Sequence, residues 1–215
     1  ISLLTIVLVP LLKSNPKISK IDVEENLRDA LMEAIKDPTY IMLFLGFFSC
    51  GFQLAFITAH FPAFIAESSS PIIQGSLISF VCNSVASLGA LSIALIGLFN
   101  IVGTLYFGYL GDRLSKKNLL SLLYTLRGLL FLVFIFLPKT ELTVLLFACI
   151  LGILWLSTVP LTSGIITVVF GPFYMSMLYG IAFLSHQIGS FLGSWIGGRL
   201  FDYYGSYDLM WWICV

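Results

Sequence analysis

Residues 93–137 read IALIGLFNIVGTLYFGYLGDRLSKKNLLSLLYTLRGLLFLVFIFL. Two apolar runs flank a short turn, GDRLSKKN at 111–118, which holds four of the five charged residues of the stretch. An α-helix rises about 1.5 Å per residue, so about 20 apolar residues cross a hydrocarbon core about 30 Å thick. The stretch therefore predicts two antiparallel membrane-spanning helices joined by a polar turn. The same pattern recurs on both sides, with complete spans expected at about 38–66, 87–110, 118–137, 142–163 and 174–200 and partial ones at 1–12 and from Trp211 to Val215. The expected fold class is all-α, a polytopic transmembrane helical bundle.

Composition agrees with a lipid rather than an aqueous setting. Of 215 residues, 59% are hydrophobic and 10% charged, with a mean hydropathy of +1.01, against roughly 25% charged residues in an average soluble domain. The net charge of zero, with basic residues in short loops rather than along one face, argues against a nucleic-acid partner. The chain lacks an initiator Met, and no basic region or small-residue cleavage site marks 1–12 as a signal peptide. More protein is expected before Ile1 and after Val215. Cys50, Cys82, Cys149 and Cys214 are far apart, with no CxxC and no His at ligand spacing, which reads as small apolar packing residues. Neither metal nor cofactor is expected.

The segment 13–37 differs from the rest. It carries both charges, and Val23, Leu27, Ala30, Leu31, Ala34 and Ile35 recur at helical spacing, with Asp22 and Glu25 placed as a capping pair. It predicts an amphipathic helix lying on the membrane surface or on the bundle, with Pro38 opening the next helix. Lys13, Lys17, Lys20, Arg28 and Lys36 share this loop and Arg113, Lys116 and Lys117 the turn two spans later, whereas the opposite side holds Lys139 and Arg199. The first set is expected in the cytoplasm. The connection 68–86 is expected outside, its apolar stretch 78–81 being too short to span.

The turn Gly108, Tyr109, Leu110, Gly111, Asp112, Arg113, Leu114, Ser115, Lys116, Lys117 has a plain reading as a positive-inside loop whose glycines let helix ends approach and whose Asp112 can accept from a facing helix N-terminus. It also resembles the GxxxDRxGRR/K signature of the major facilitator superfamily, with Ser115 in place of a glycine. Further resemblance to bacterial relatives of the monocarboxylate porters and oxalate/formate antiporters lies in LFLGFFSCGFQLAFITAHFPAFIAE (43–67), IALIGLFNIVGT (93–104) and FLSHQIGSFLGSWIGGRLFDYYGSYD (183–208). A departure is Phe173 in FGPFY, where the family's pattern has Arg. The resemblance implies the C-terminal six-helix half of a transporter: 1–12 the end of a helix, 13–37 the cytoplasmic loop between halves, and 38–215 the second bundle. It implies a secondary active carrier of a small solute, a monocarboxylate or other small organic anion, in a bacterial inner (plasma) membrane, with lipid and the missing N-terminal half as partners.

Polar residues at membrane depth are costly and therefore informative. Arg127 lies about nine residues from either end of its span, too deep to reach water easily; it reads either as a structural pairing residue or as an anion ligand. Gln53 and His60 share a helix face, Asn100 is central in the next span, and His186 and Gln187 are adjacent in the fifth. Each reads alone as a satisfied interhelical hydrogen bond; together they lie on helices that line the cavity in the family. No Asp or Glu sits at the centre of a span, so a proton carrier in this half would be His60 or His186. Gly189, Gly193 and Gly197 recur every four residues, a face for close helix packing or for sliding. Pro160, near Thr162, Ser163 and Gly164, predicts a kink.

Rival classes have less behind them. A membrane-embedded enzyme would need a nucleophile or metal constellation, and HExxH, GxSG and GxGD are absent. A non-transporting receptor or assembly subunit shares the bundle. A third alternative is an inactive truncated half.

Overall fold

The computed structural model describes residues 27–68 and 85–215, and these are helical apart from short connections. In chain order the helices are α1 (Leu27–Lys36), α2 (Pro38–Ser68), α3 (Val85–Arg113), α4 (Lys116–Phe136), α5 (Glu141–Leu154), α6 (Thr158–Phe170), α7 (Met175–Tyr204) and α8 (Asp208–Cys214). The expectations for 1–12, for Val23, Asp22 and Glu25, and for most of the 68–86 connection lie outside the described residues.

Among the described residues, four segments are long and apolar enough to cross a membrane: α2, residues 86–113 within α3, α4, and the pair α5 and α6 taken together over 141–170. This departs from the expected five. Helix α7 has 30 residues, but His186, Gln187 and its glycines and serines dilute its hydropathy, and its place in the bundle is set instead by packing along α2. The span expected at 142–163 is also two helices rather than one. Helix α5 ends at Leu154 and α6 starts at Thr158, one turn before Pro160. A proline cannot donate to the carbonyl four residues back and its ring crowds that carbonyl, so the disruption falls on the N-terminal side of the ring.

The connections are built from local hydrogen bonds. Lys139 donates from Nζ to the carbonyls of Phe134 (2.6 Å), Ile135 (3.2 Å) and Leu137 (2.7 Å), placing a cation on the negative end of α4. Burial pulls the Lys139 pKa below its ordinary value, with Asp208 opposing. Thr140 caps α5 by accepting from the Thr143 N–H at 3.3 Å. Gly205, at φ 69°, ends α7 in the left-handed conformation that favours glycine. Helix α1 lays Ala30 and Ala34, both fully buried, onto the bundle and leaves Met32 and Ile35 exposed.

Two apolar cores fill the bundle. Toward the Lys139 end, Trp211 of α8 packs among Phe64 (ring centroids 4.9 Å apart), Phe134 (5.1 Å), Phe56 (5.3 Å) and Phe131 (5.5 Å). Toward the opposite end, Tyr40, Leu43, Phe107, Leu123, Phe170 and Leu178 form the second. Helices α2 and α7 make the most extensive contact, followed by α3 with α5. Both seams depend on glycine. An added Cβ at Gly51, Gly189 or Gly193 would lie 2.0, 2.1 and 2.1 Å from the carbonyl oxygens of His186, Phe48 and Phe52, and one at Gly103 would lie 2.1 Å from that of Ile153. Across α2 and α7, Ser185 donates to the Phe44 carbonyl (2.7 Å) and Ser190 to that of Gly51 (3.2 Å).

Candidate functional site

Between the two cores runs a layer of polar side chains, and its centre is the break between α5 and α6. Arg127 on α4 is fully buried. Its Nη2 donates to the carbonyl oxygens of Leu154 and of Trp155, the latter at 2.6 Å, and its Nη1 donates to Cys50 Sγ on α2 at 3.1 Å. The guanidinium carbon lies 5.8 Å from the Tyr124 ring centroid. None of these partners is a carboxylate, and Nε has no hydrogen-bond acceptor among the described residues. A buried cation of this kind requires compensation. Here the last carbonyls of α5, the negative end of that helix, supply it.

The other side of the break is held by α3. Asn100 Oδ1 accepts from the Leu156 N–H at 3.1 Å and from Thr104 Oγ1 at 3.3 Å. Within the break, Ser157 Oγ donates to the Ile153 carbonyl (2.5 Å), the Val159 N–H to that of Leu156 (2.9 Å) and the Trp155 N–H to that of Gly152 (3.1 Å). Thus the backbone groups that Pro160 takes out of the helical ladder find partners on α3, on α4 and locally, as a bilayer interior requires.

The remaining polar residues fall on the α2, α7 and α8 side. Gln53 is buried and donates from Nε2 to the Cys214 carbonyl at 2.6 Å. His60 lies between the Ser194 carbonyl (2.9 Å from Nε2) and the Tyr207 hydroxyl (3.3 Å from Nδ1). A carbonyl only accepts, so the neutral ring carries its proton on Nε2 and accepts from Tyr207 on Nδ1. Gly197 makes room for this ring, since a Cβ there would lie 2.8 Å from His60 Cδ2. His186 is buried, stacked on Phe183 at 5.3 Å, with Nδ1 at 3.5 Å from Ser190 Oγ. Its neighbour Gln187 is exposed. The polar positions therefore share neither one level nor one surface: His60 bonds to Ser194, eight residues or about 12 Å along α7 from His186, and Arg127, Gln53 and His186 are enclosed, Asn100 and His60 half-buried, Gln187 open.

The turn at 108–117 docks on α6. Gly108 faces Pro160, and a Cβ added there would lie 3.9 Å from the proline ring carbons; Gly111 faces Leu161, and the Lys116 stem lies against Gly164. Lys116 Nζ donates to the Gly111 carbonyl at 2.6 Å and pairs with Asp112 at 3.5 Å. Arg113 covers the Tyr109 ring at 4.4 Å, and Lys117 is half-buried. Asp112 is 82% exposed, so the expected acceptance from a facing helix N-terminus is replaced among the described residues by this pairing within the turn. Sequence reasoning missed Cys50, Tyr124, Tyr207 and the Leu154 and Trp155 carbonyls. A carbonyl has no sequence signature, and Tyr207 could be found only through the reach of His60.

Comparison with known proteins bears on the same stretches. A family model described as Major Facilitator Superfamily matches residues 1–194. The chain is 29% identical over 180 residues to the "Uncharacterized MFS-type transporter YcxA" of Bacillus subtilis (strain 168), covering 81% of this chain and 40% of that protein. It is 29% identical over 128 residues to "Monocarboxylate transporter 12" of Homo sapiens, covering 58% of this chain and 25% of that protein. The chain thus spans well under half the length of either relative. No solved structure matches at a significant level.

Proposed function

The chain belongs to the major facilitator superfamily, and from that premise we propose that it is one helical half of a secondary active transporter that carries a small organic anion by alternating access. The observation that carries this reading is the polar layer: a guanidinium at a broken helix, and the His186 imidazole beside the same stretch of α2, with no carboxylate among the partners of Arg127. In transporters built from repeated halves, solute sites lie near the midplane beside interrupted helices. A positive field in such a place favours an anion. The relative named for monocarboxylate transport makes monocarboxylates the first solutes to test.

The proposed contacts are Asn100, His60, His186 and Gln187, with Gln53 behind them and Arg127 supplying charge. Gln187 is exposed, and the proposal sets an N-terminal half over it to close the cavity. Imidazole and amide donors suit a carboxylate through charge-assisted or neutral hydrogen bonds. The remaining parts of the proposal are a bacterial inner membrane, the loops 13–37 and 111–117 on its cytoplasmic side, lipid around the bundle, and a seam between α2 and α7 on which the pathway opens and shuts.

A thermal-shift screen of the purified full-length protein against carboxylates, sugars, amino acids and lipophilic cations tests the solute class. Stabilisation by a monocarboxylate is expected. Stabilisation by a sugar or a lipophilic cation with carboxylates silent would refute the anion.

A further inference from the structure

Arg127 reads from sequence equally well as a ligand for the solute or as a structural cation, and the geometry points to a third role. We propose that Arg127 is a positioning residue that caps the C-terminus of α5 and so holds the break at residues 155–157 as a joint between the polar layer and the 108–117 turn. This rests on the transporter reading for its purpose, but not for its geometry.

Three observations carry it. First, the two carbonyls that receive Nη2 are those of the last residue of α5 and of its C-cap, Trp155; a cation there completes the unsatisfied end of the helix and opposes its dipole. Second, the break is gripped from two directions, by Arg127 on the carbonyl side and by Asn100 on the N–H side, and α4 and α3 each contribute one of the two grips. Third, α6 leaves the break toward the 108–117 turn and meets it through Pro160, Leu161 and Gly164. A displacement of the turn is transmitted along α6 to the residues that Arg127 and Asn100 hold.

Enclosure decides against direct contact with a solute in this arrangement. Arg127 has no exposed surface, and three of its five N–H groups, both of Nη2 and one of Nη1, are engaged. A carboxylate seated on Nη2 would have to displace the carbonyls of Leu154 and Trp155, and with them the cap of α5. A planar guanidinium can serve two carbonyls and a thiol together, whereas an ammonium offers a point charge with shorter reach. Lysine should therefore restore the charge at the helix end and lose part of the fixed geometry.

Hydrogen exchange by mass spectrometry on the purified full-length protein reads the joint directly, since it reports local opening. In Arg127→Gln, the amides of 152–159 are expected to exchange at least tenfold faster, with α7 peptides unchanged. Arg127→Lys should stay within threefold of the parent. Asn100→Leu, which keeps the buried cation, should also accelerate the same peptides and serves if Arg127→Gln fails to fold. In transport assays with a monocarboxylate, Arg127→Gln should lower the maximal rate tenfold or more, a larger factor than any rise in KM. Unchanged exchange at 152–159 in both Arg127→Gln and Asn100→Leu would overturn the proposal, and so would a KM raised tenfold with exchange unaltered. Absence of monocarboxylate flux in the parent, with faster exchange in both variants, would support the joint while removing the anion reading.

Discussion

The Cβ that any other residue would carry at position 193 falls 2.1 Å from the Phe52 carbonyl oxygen, so α2 and α7 lie as close as Gly193 allows. The obstacle is backbone, which a rotamer change cannot relieve. Gly193→Ala is expected to lower the thermal unfolding midpoint in detergent, at a cost of about 1–3 kcal/mol for overpacking. Gly180→Ala on the same helix meets nothing within 4 Å and should be neutral or stabilising by up to about 1 kcal/mol. Equal midpoints for the two variants would contradict the close seam.

His60 and Tyr207 come from α2 and the turn before α8, and their side chains meet at 3.3 Å beside the ring contacts that Tyr207 makes with Phe56 and Phe64. A double-mutant cycle with His60→Ala and Tyr207→Phe should give a coupling of about 0.5–1.5 kcal/mol, the range for one hydrogen bond. Additive effects within error would mean that the two side chains do not share a bond.

Much of this was legible from residue types alone, and what was not has a common physical cause. The apolar runs at 87–110 and 118–137 predict α3 and α4 within a few residues because lipid dictates length and composition. Gly189, Gly193 and Gly197 announce a close face because only the loss of a side chain permits one. Pro160 announces a disruption, yet its position one turn upstream depends on which neighbours satisfy the freed groups. Those neighbours, the Asn100 amide and the Arg127 guanidinium, are visible in sequence only as costly polar residues. Their partners are backbone atoms of Leu154, Trp155 and Leu156, which look like any other apolar stretch. Asp112 shows the reverse: its motif suggests a distant acceptor role, and its described partner is four residues away.

Asp112 is exposed and its pairing with Lys116 spans 3.5 Å, a class of contact that adds little to stability. Asp112→Asn is expected to leave the thermal midpoint unchanged while slowing solute flux, measured as uptake normalised to membrane protein. Gly108→Ala fits, since its Cβ would be in ordinary contact with Pro160 at 3.9 Å, whereas Gly108→Leu presses on α6 and should reduce flux. Full uptake in both Asp112→Asn and Gly108→Leu would reduce the turn to a positive-inside loop.

The proposed sidedness rests on the basic residues. In a cysteine-free full-length background, Ser115→Cys is expected to react with an impermeant maleimide only after the cytoplasmic face is opened, and Lys139→Cys to react in sealed cells. Reaction of Ser115→Cys in sealed cells would invert the bundle.

The anion-carrier reading is tested most directly by flux in proteoliposomes containing the full-length protein, with a radiolabelled monocarboxylate inside and competing solutes outside. Exchange accelerated by external carboxylates, indifferent to sugars and amino acids, and weakened by His186→Ala or Gln187→Ala without loss of folded protein is the predicted result. Carboxylate exchange no faster than in empty liposomes, from protein that remains monodisperse and thermally stable, would contradict it.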